Sequence, residues 1–185
     1  MHSPSNHHLG VAKRVLRYIA GTVGFGLWYD HISDFKLLGF TDSDWAGCLE
    51  DRKSTSGYVF NLGSAAISWS SKKQATTALS SSEAEYIAAT SSACQAIWLQ
   101  RILADLTKGQ LEATKIFCDN KSAIAMSKNP AYNGRTKHID LRVHFIRELV
   151  SKKLVTLEFC NTEEQTADIL TKSLSFKKHI YFRNK

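Results

Sequence analysis

Apolar residues recur every three to four positions over 9–20, with Ala12, Val15, Leu16 and Ile19 on one stripe and Lys13, Arg14 and Arg17 off it. This spacing predicts a short amphipathic helix that stops at Gly21. Phe25, Leu27 and Tyr29 then alternate as a strand would, and the polar run 30–34 marks a junction. The main boundary is placed there, dividing the chain into 1–32 and 33–185. Three strand-like runs follow at 35–41, 57–62 and 65–71, the last two joined across a tight Gly63-Ser64 turn.

A long helix is predicted over 82–106, with Ala84, Ile87, Ala88, Ser91, Cys94, Trp98 and Ile102 as its inward face. Ser80 and Glu83 have the spacing of a capping box at its start. The apolar run 115–118 reads as a short buried strand opening at Asp119 into a helix that ends before Pro130. Ile139, Val143, Ile146 and Val150 form the buried stripe of the next helix, and Val155, Leu157 and Phe159 alternate as a fifth strand. A closing helix is expected from about Thr162, where Gln165 completes another capping-box spacing. A strand meander running into α/β crossovers predicts an α/β fold, a mixed sheet with helices on its faces.

The chain has 185 residues, enough for one domain with an appendage. Its 24 Lys and Arg outnumber 17 Asp and Glu, a net charge of +7 that suits a polyanion, nucleic acid before an acidic membrane. No run is long and apolar enough for a membrane span, and the polar start lacks a signal-peptide core, so a soluble intracellular protein is expected. Cys48, Cys94, Cys118 and Cys160 form no CxxC pair, which argues against a zinc knuckle and suggests small buried thiols.

The candidate chemistry lies in four acids: Asp42 at the end of the first strand, Glu85 in the second turn of the long helix, Asp119 at the end of the fourth strand and Asp168 in the last helix. Strand ends of an α/β sheet are where ligand sites gather, and a fourth strand beside the first would make Asp42 and Asp119 neighbours. Buried carboxylates repel one another and call for cations between them. Hard oxygen donors select Mg2+ or Mn2+ over zinc. Each acid also has an ordinary alternative: Asp42 and Asp119 as turn caps, Glu85 as part of a cap from Ser82, Asp168 as a first-turn acid favoured by the helix dipole.

The words around these acids are more specific. FTDSDWAG at 40–47, SSSEAEYIAA at 80–89, IFCDNKSAI at 116–124 and EEQTADILTK at 163–172 resemble the four motifs of the ribonuclease H (RNase H) domain of copia-type long-terminal-repeat retrotransposons. DRKSTSGYVF, ISWSSKKQ and TKHIDLRVHFIRE also look like that family, in the right order from Phe35 onward. The resemblance implies an RNase H-like fold, a five-stranded mixed sheet flanked by helices, and endonucleolytic cleavage of RNA paired to DNA. It implies two Mg2+ ions, with Mn2+ able to substitute: Asp42 bridging both, Asp168 holding the one on the nucleophile side, and Glu85 and Asp119 the other. Asp44 is set aside in favour of Asp42, which directly follows the Phe-Thr strand end. HHLGVAKRVLRYIAGT resembles the tail of the reverse transcriptase that precedes this nuclease in the polyprotein, so that domain is an expected partner. Retrotransposon replication implies a cytoplasmic or nuclear setting. An inactive or domesticated remnant that binds nucleic acid or a partner protein stays open as the alternative function.

Arg52, Lys53, Lys72 and Lys73 flank the second and third strands as candidate phosphate contacts to an RNA/DNA hybrid, or simply as soluble strand edges. Asn120 could contact a 2′-hydroxyl or cap the following helix. His138 and His144, six apart, fall on different helix faces and make a poor shared metal site. The stretch between Phe159 and Asp168 holds no histidine, unlike the loop of many cellular RNases H.

Overall fold

A computed structural model of the chain describes residues 3–30, 35–106, 112–128 and 137–185, the side chains of 137–143 excepted. The chain divides into two compact units, Met1–His31 and Ile32–Lys185.

The first unit holds α1 (Asn6–Ala20), which begins three residues before the predicted start because Ser5 caps it. The Ser5 hydroxyl accepts from the His8 amide, and His8 Nδ1 accepts from the Ser5 amide at 2.9 Å. The strand expected around Phe25–Tyr29 does not form. A strand needs a neighbouring strand to pair with, and the described residues of this unit contain none.

In the second unit, β1 (Leu37–Asp44), β2 (Thr55–Leu62) and β3 (Ala65–Lys73) form the meander, α2 (Ser81–Leu106) follows, and β4 (Thr114–Cys118) leads through α3 (Lys121–Lys128) and α4 (Lys137–Ser151) to β5 (Val155–Phe159). The sheet order is β3-β2-β1-β4-β5, antiparallel across the meander and parallel from β1 to β4 to β5. This is the mixed five-stranded sheet expected above. The two-residue turn between β2 and β3 is closed by Gly63 at φ 64, a left-handed angle that costs glycine little.

Side-chain alternation sorts the sheet into two faces. Leu37, Phe60, Ile116, Val155 and Leu157 point to one, where they make the core with α2, α3 and α4. The predicted face of α2 holds in its first turns, where Ala84, Ile87 and Ala88 are buried, and departs from the structure further along. Ala89, Ser92, Ala93, Ala96 and Leu99 are covered, whereas Cys94 and Trp98 are exposed, Trp98 by 55%. The helix is apolar on nearly every side, so periodicity could not choose; the row of alanines wins because small side chains let the helix axis approach the sheet. Ile146 and Leu149 of α4 are buried and Val150 packs against the core, while Ile139, Val143 and His138 lie outside the described side chains. His144 is exposed. All four cysteines are free, but only Cys118 and Cys160 are buried, a correction for Cys48 and Cys94.

The other sheet face carries Phe40, Asp42, Val59 and Phe117, with the Phe40 and Phe117 rings stacked at 5.1 Å. Here the closing helix predicted from Thr162 is absent. Two 3-10 turns, Thr162–Glu164 and Thr166–Leu170, take its place, and α5 (Phe176–Arg183) starts only after Ser175 caps it. Gln165 is the cause. Its side chain is fully buried, and Nε2 donates to the carbonyls of Thr41 at 2.9 Å and Phe117 at 3.4 Å while Oε1 accepts from the Ala167 amide. A residue clamped to two strands holds an extended backbone angle there (ψ 92) and interrupts the helix.

Candidate metal centre

β1 runs past its predicted end, so Asp42 lies within the strand, opposite Gly57 of β2. Phe40 of β1 pairs with Phe117 of β4, and two residues further along each parallel strand stand Asp42 and Asp119. The two acids are therefore neighbours on one sheet face at the carboxyl ends of adjacent strands, as expected. Asp168 joins them from the second 3-10 turn, which packs over β1 and β2. The approach is close: a Cβ on Gly57 would lie 2.7 Å from Thr171 Cγ2 and 3.0 Å from Leu170 Cβ. Glu85 enters from α2 and is held by the Ser43 amide, which donates to its Oε1 at 3.1 Å.

Oxygens of Asp42, Asp119 and Asp168 come within 4.8 Å of one another. Glu85 and Asp119, with Cys118, make a second group of the same tightness. Asp119 is the member common to both groups. Asp42, Glu85 and Asp168 are 1%, 5% and 0% exposed, so three of the four carboxylates have almost no water to solvate them. Burial, followed by the Asp42 and Asp119 carboxylates, pushes Glu85 up to about 9 against the opposing Ser43 amide. Burial likewise raises Asp42, although Lys172 and the Thr171 hydroxyl pull the other way. Neighbouring acids at these positions ask for positive charge among them. The donor set fits hard divalent cations such as Mg2+ or Mn2+. Burial and then Glu85 push the Cys118 thiol far above the usual range, and hard cations favour the carboxylate oxygens beside it over a sulfur donor.

Several groups around the acids were not singled out in the sequence. Thr162 donates to Asp119 Oδ2 at 2.8 Å and Thr171 donates to Asp42 Oδ2. Lys172 Nζ lies 2.9 Å from Asp168 Oδ1 and 3.4 Å from Asp42 Oδ2, and Lys178 Nζ lies 3.3 Å from Asp168 Oδ2. The one readable signal was the spacing of Asp168 and Lys172, four residues apart. Gln74, also buried, spans β1, β2 and α2 by donating to Ser43 Oγ, Ser56 Oγ and the Ala84 carbonyl. The competing acids have other work. Asp44 accepts from the Thr55 amide. Glu83 accepts from the Leu79 amide while its own amide donates to Ser80 Oγ, which leaves Glu85 one turn inside the helix.

Among the basic candidates, Arg52, Lys72 and Lys73 are exposed and Lys53 is half-buried. Lys73 pairs with Asp51 at 2.8 Å and donates to Cys48 Sγ at 3.0 Å, and Lys53 reaches the same Asp51 at 3.9 Å. Part of this charge is thus balanced locally. Asn120 caps α3, its Oδ1 accepting from the Ala123 amide at 3.0 Å. Among the described residues no helix is long and apolar enough to cross a membrane.

No protein-family model matches the chain. It is 46% identical over 172 residues, 93% of its length, to the retrovirus-related Pol polyprotein from transposon TNT 1-94 of Nicotiana tabacum, and 40% identical over 184 residues to that from transposon RE2 of Arabidopsis thaliana. The chain spans only 13% and 12% of these two relatives. Its fold is that of LC11-RNase H1, isolated from compost by a metagenomic approach, with TM-score 0.54 at 16% identity over 74% of this chain and 92% of that one. The same enzyme in complex with an RNA/DNA hybrid gives a TM-score of 0.53 at 13% identity, over 74% of this chain and 94% of that one. The chain is therefore similar, over nearly its whole length, to a segment of the retrovirus-related Pol polyproteins of plant transposons, and that segment has the RNase H fold.

Proposed function

We propose that the chain is a ribonuclease H that hydrolyses the RNA strand of an RNA/DNA hybrid during retrotransposon reverse transcription. The observation that carries this reading is the meeting of Asp42, Glu85, Asp119 and Asp168 at the ends of β1 and β4, in the fold of an enzyme solved on such a hybrid.

Asp42, Glu85, Asp119 and Asp168 would hold two Mg2+ ions, Mn2+ being able to replace either. Bound there, the ions supply an activated water on one side of the phosphodiester and charge stabilisation for the leaving oxygen on the other. The chain's own residues set the geometry. The Ser43 amide aims Glu85, Thr162 aims Asp119, and Thr171 aims Asp42. Gln165 fixes the turn that carries Asp168 to both catalytic strands. Arg52, Lys53, Lys72 and Lys73 contribute sequence-independent attraction to the phosphates. The first unit is the tail of a preceding reverse transcriptase domain, which is the partner within the polyprotein; the match to RE2 spans the whole chain. The setting is cytoplasmic or nuclear, where such elements replicate.

The test uses a labelled RNA/DNA hybrid beside matching double-stranded RNA and DNA, in Mg2+, Mn2+ or EDTA, with Asp119→Asn alongside. Cleavage confined to the RNA strand of the hybrid and abolished by EDTA and by the substitution supports the reading. A folded protein that cuts nothing in either metal refutes it.

A further inference from the structure

Lys172 stands where a cation is wanted. Its ammonium is 2.9 Å from Asp168 Oδ1 and 3.4 Å from Asp42 Oδ2, although its own side chain is 37% exposed and those of the two acids are 0% and 1%. It lies on the solvent side of two buried carboxylates, the same two that join Asp119 in the first oxygen cluster. Lys178 reaches only the far oxygen of Asp168, and it also faces Glu163 at 3.5 Å and the Phe182 ring at 5.5 Å. Of these two lysines, only Lys172 spans Asp42 and Asp168.

Resting on the reading of this cluster as a divalent-metal site, we propose that Lys172 is a tethered counter-ion. It neutralises Asp42 and Asp168 when metal is absent, and it competes with the divalent cation for their oxygens. Two buried carboxylates cannot both stay ionised side by side without positive charge, and a lysine ammonium supplies one charge without leaving the chain. A divalent ion brings two charges and binds the same oxygens directly, so it displaces the ammonium once its concentration is high enough. Partial exposure gives the long Lys172 side chain an open path outward into water. The consequence is a site that stays assembled without metal at the cost of weaker metal binding. Lys172 is thus a positioning residue whose removal tightens metal binding, the reverse of what damage to a supporting residue does.

The experiment uses the whole chain and two readouts, Mn2+ affinity by isothermal titration calorimetry and thermal unfolding in EDTA. Lys172→Met and Lys172→Gln are the neutral variants, Lys172→Arg keeps the charge, and Lys115→Met removes an equal charge from the Lys115–Glu158 pair on β4. Either neutral variant is expected to bind Mn2+ roughly tenfold more tightly and to unfold at a lower temperature in EDTA, since a like charge near the ion has gone while the apo acids have lost their partner. Lys172→Arg and Lys115→Met should stay close to the unsubstituted chain. Unchanged or weaker Mn2+ binding in both neutral variants overturns the proposal, and so does equal tightening by Lys115→Met, which reports net charge alone. If the unsubstituted chain cleaves hybrid while the Lys172 variants leave Mn2+ affinity unmoved, only the counter-ion fails. Absence of Mn2+ binding in every chain sinks the metal-site reading together with it.

Discussion

Glu85→Gln should make the metal-free protein more stable while it removes a metal ligand. In the folded chain Glu85 is 5% exposed and its carboxyl is pushed from 4.5 up to about 9. A folded value above the unfolded one means that the contribution is fully present below pH 4.5 and is lost as pH climbs from there towards 9. At pH 7 the unfolded chain has released this proton and the folded chain still holds it. The difference of about 2.5 pH units, at 1.36 kcal/mol each, costs roughly 3 kcal/mol. Glutamine has the shape of the protonated acid and its Oε1 can still accept from the Ser43 amide, but it does not titrate. Sharing of the effect with Asp42 and Asp119 lowers the expected gain to about 1–3 kcal/mol, or some 5 °C in Tm for a unit of this size. The assay is thermal unfolding of both proteins in EDTA between pH 5 and pH 8. The curves should nearly coincide at pH 5 and diverge as pH rises, and excess Mg2+ should close the gap by stabilising the unsubstituted chain. A constant offset across that range, or a less stable Glu85→Gln at pH 8, would refute the reasoning, because holding the Glu85 proton would then not be what the site costs.

Gly57→Ala places a methyl group against Thr171 and Leu170, so it should destabilise by about 1–3 kcal/mol in denaturant titrations and reduce hybrid cleavage more than this loss explains, by shifting the turn that carries Asp168. Gln165→Ala removes the hydrogen bonds to the Thr41 and Phe117 carbonyls and should cost about 2–4 kcal/mol, with amide exchange rising first in residues 162–171. Lys72→Ala with Lys73→Ala should weaken hybrid binding and flatten its salt dependence, most of the change following Lys72 because Lys73 is shared with Asp51; an unchanged salt slope would remove both from the interface. Asn120→Ala should lose about 1 kcal/mol of stability through the cap of α3 and leave the preference for an RNA strand intact, whereas a chain that begins to cut DNA would give Asn120 a recognition role.

The sequence alone determined the order and kind of the elements in the second unit from β1 to β5, because apolar spacing and turn residues mark each of them off. It also singled out Asp42, Glu85, Asp119 and Asp168 by the words around them, and the fold brings all four together. Where periodicity was degenerate, tertiary structure decided. The apolar surface of α2 offered two stripes, and contact with the sheet selected the alanine row over Trp98. The alternation of Phe25, Leu27 and Tyr29 produced no strand, since a strand exists only with a partner. The capping spacing of Thr162 and Gln165 promised a helix, but the amide of Gln165 found better acceptors on Thr41 and Phe117, residues 124 and 48 positions away. The same holds for the charge at the site: nothing local to the sequence says that Lys172 meets Asp42 across 130 residues. Local patterns encode what a segment can become, whereas a buried hydrogen bond or ion pair between distant segments depends on which surfaces the assembled sheet brings within about 3 Å of each other.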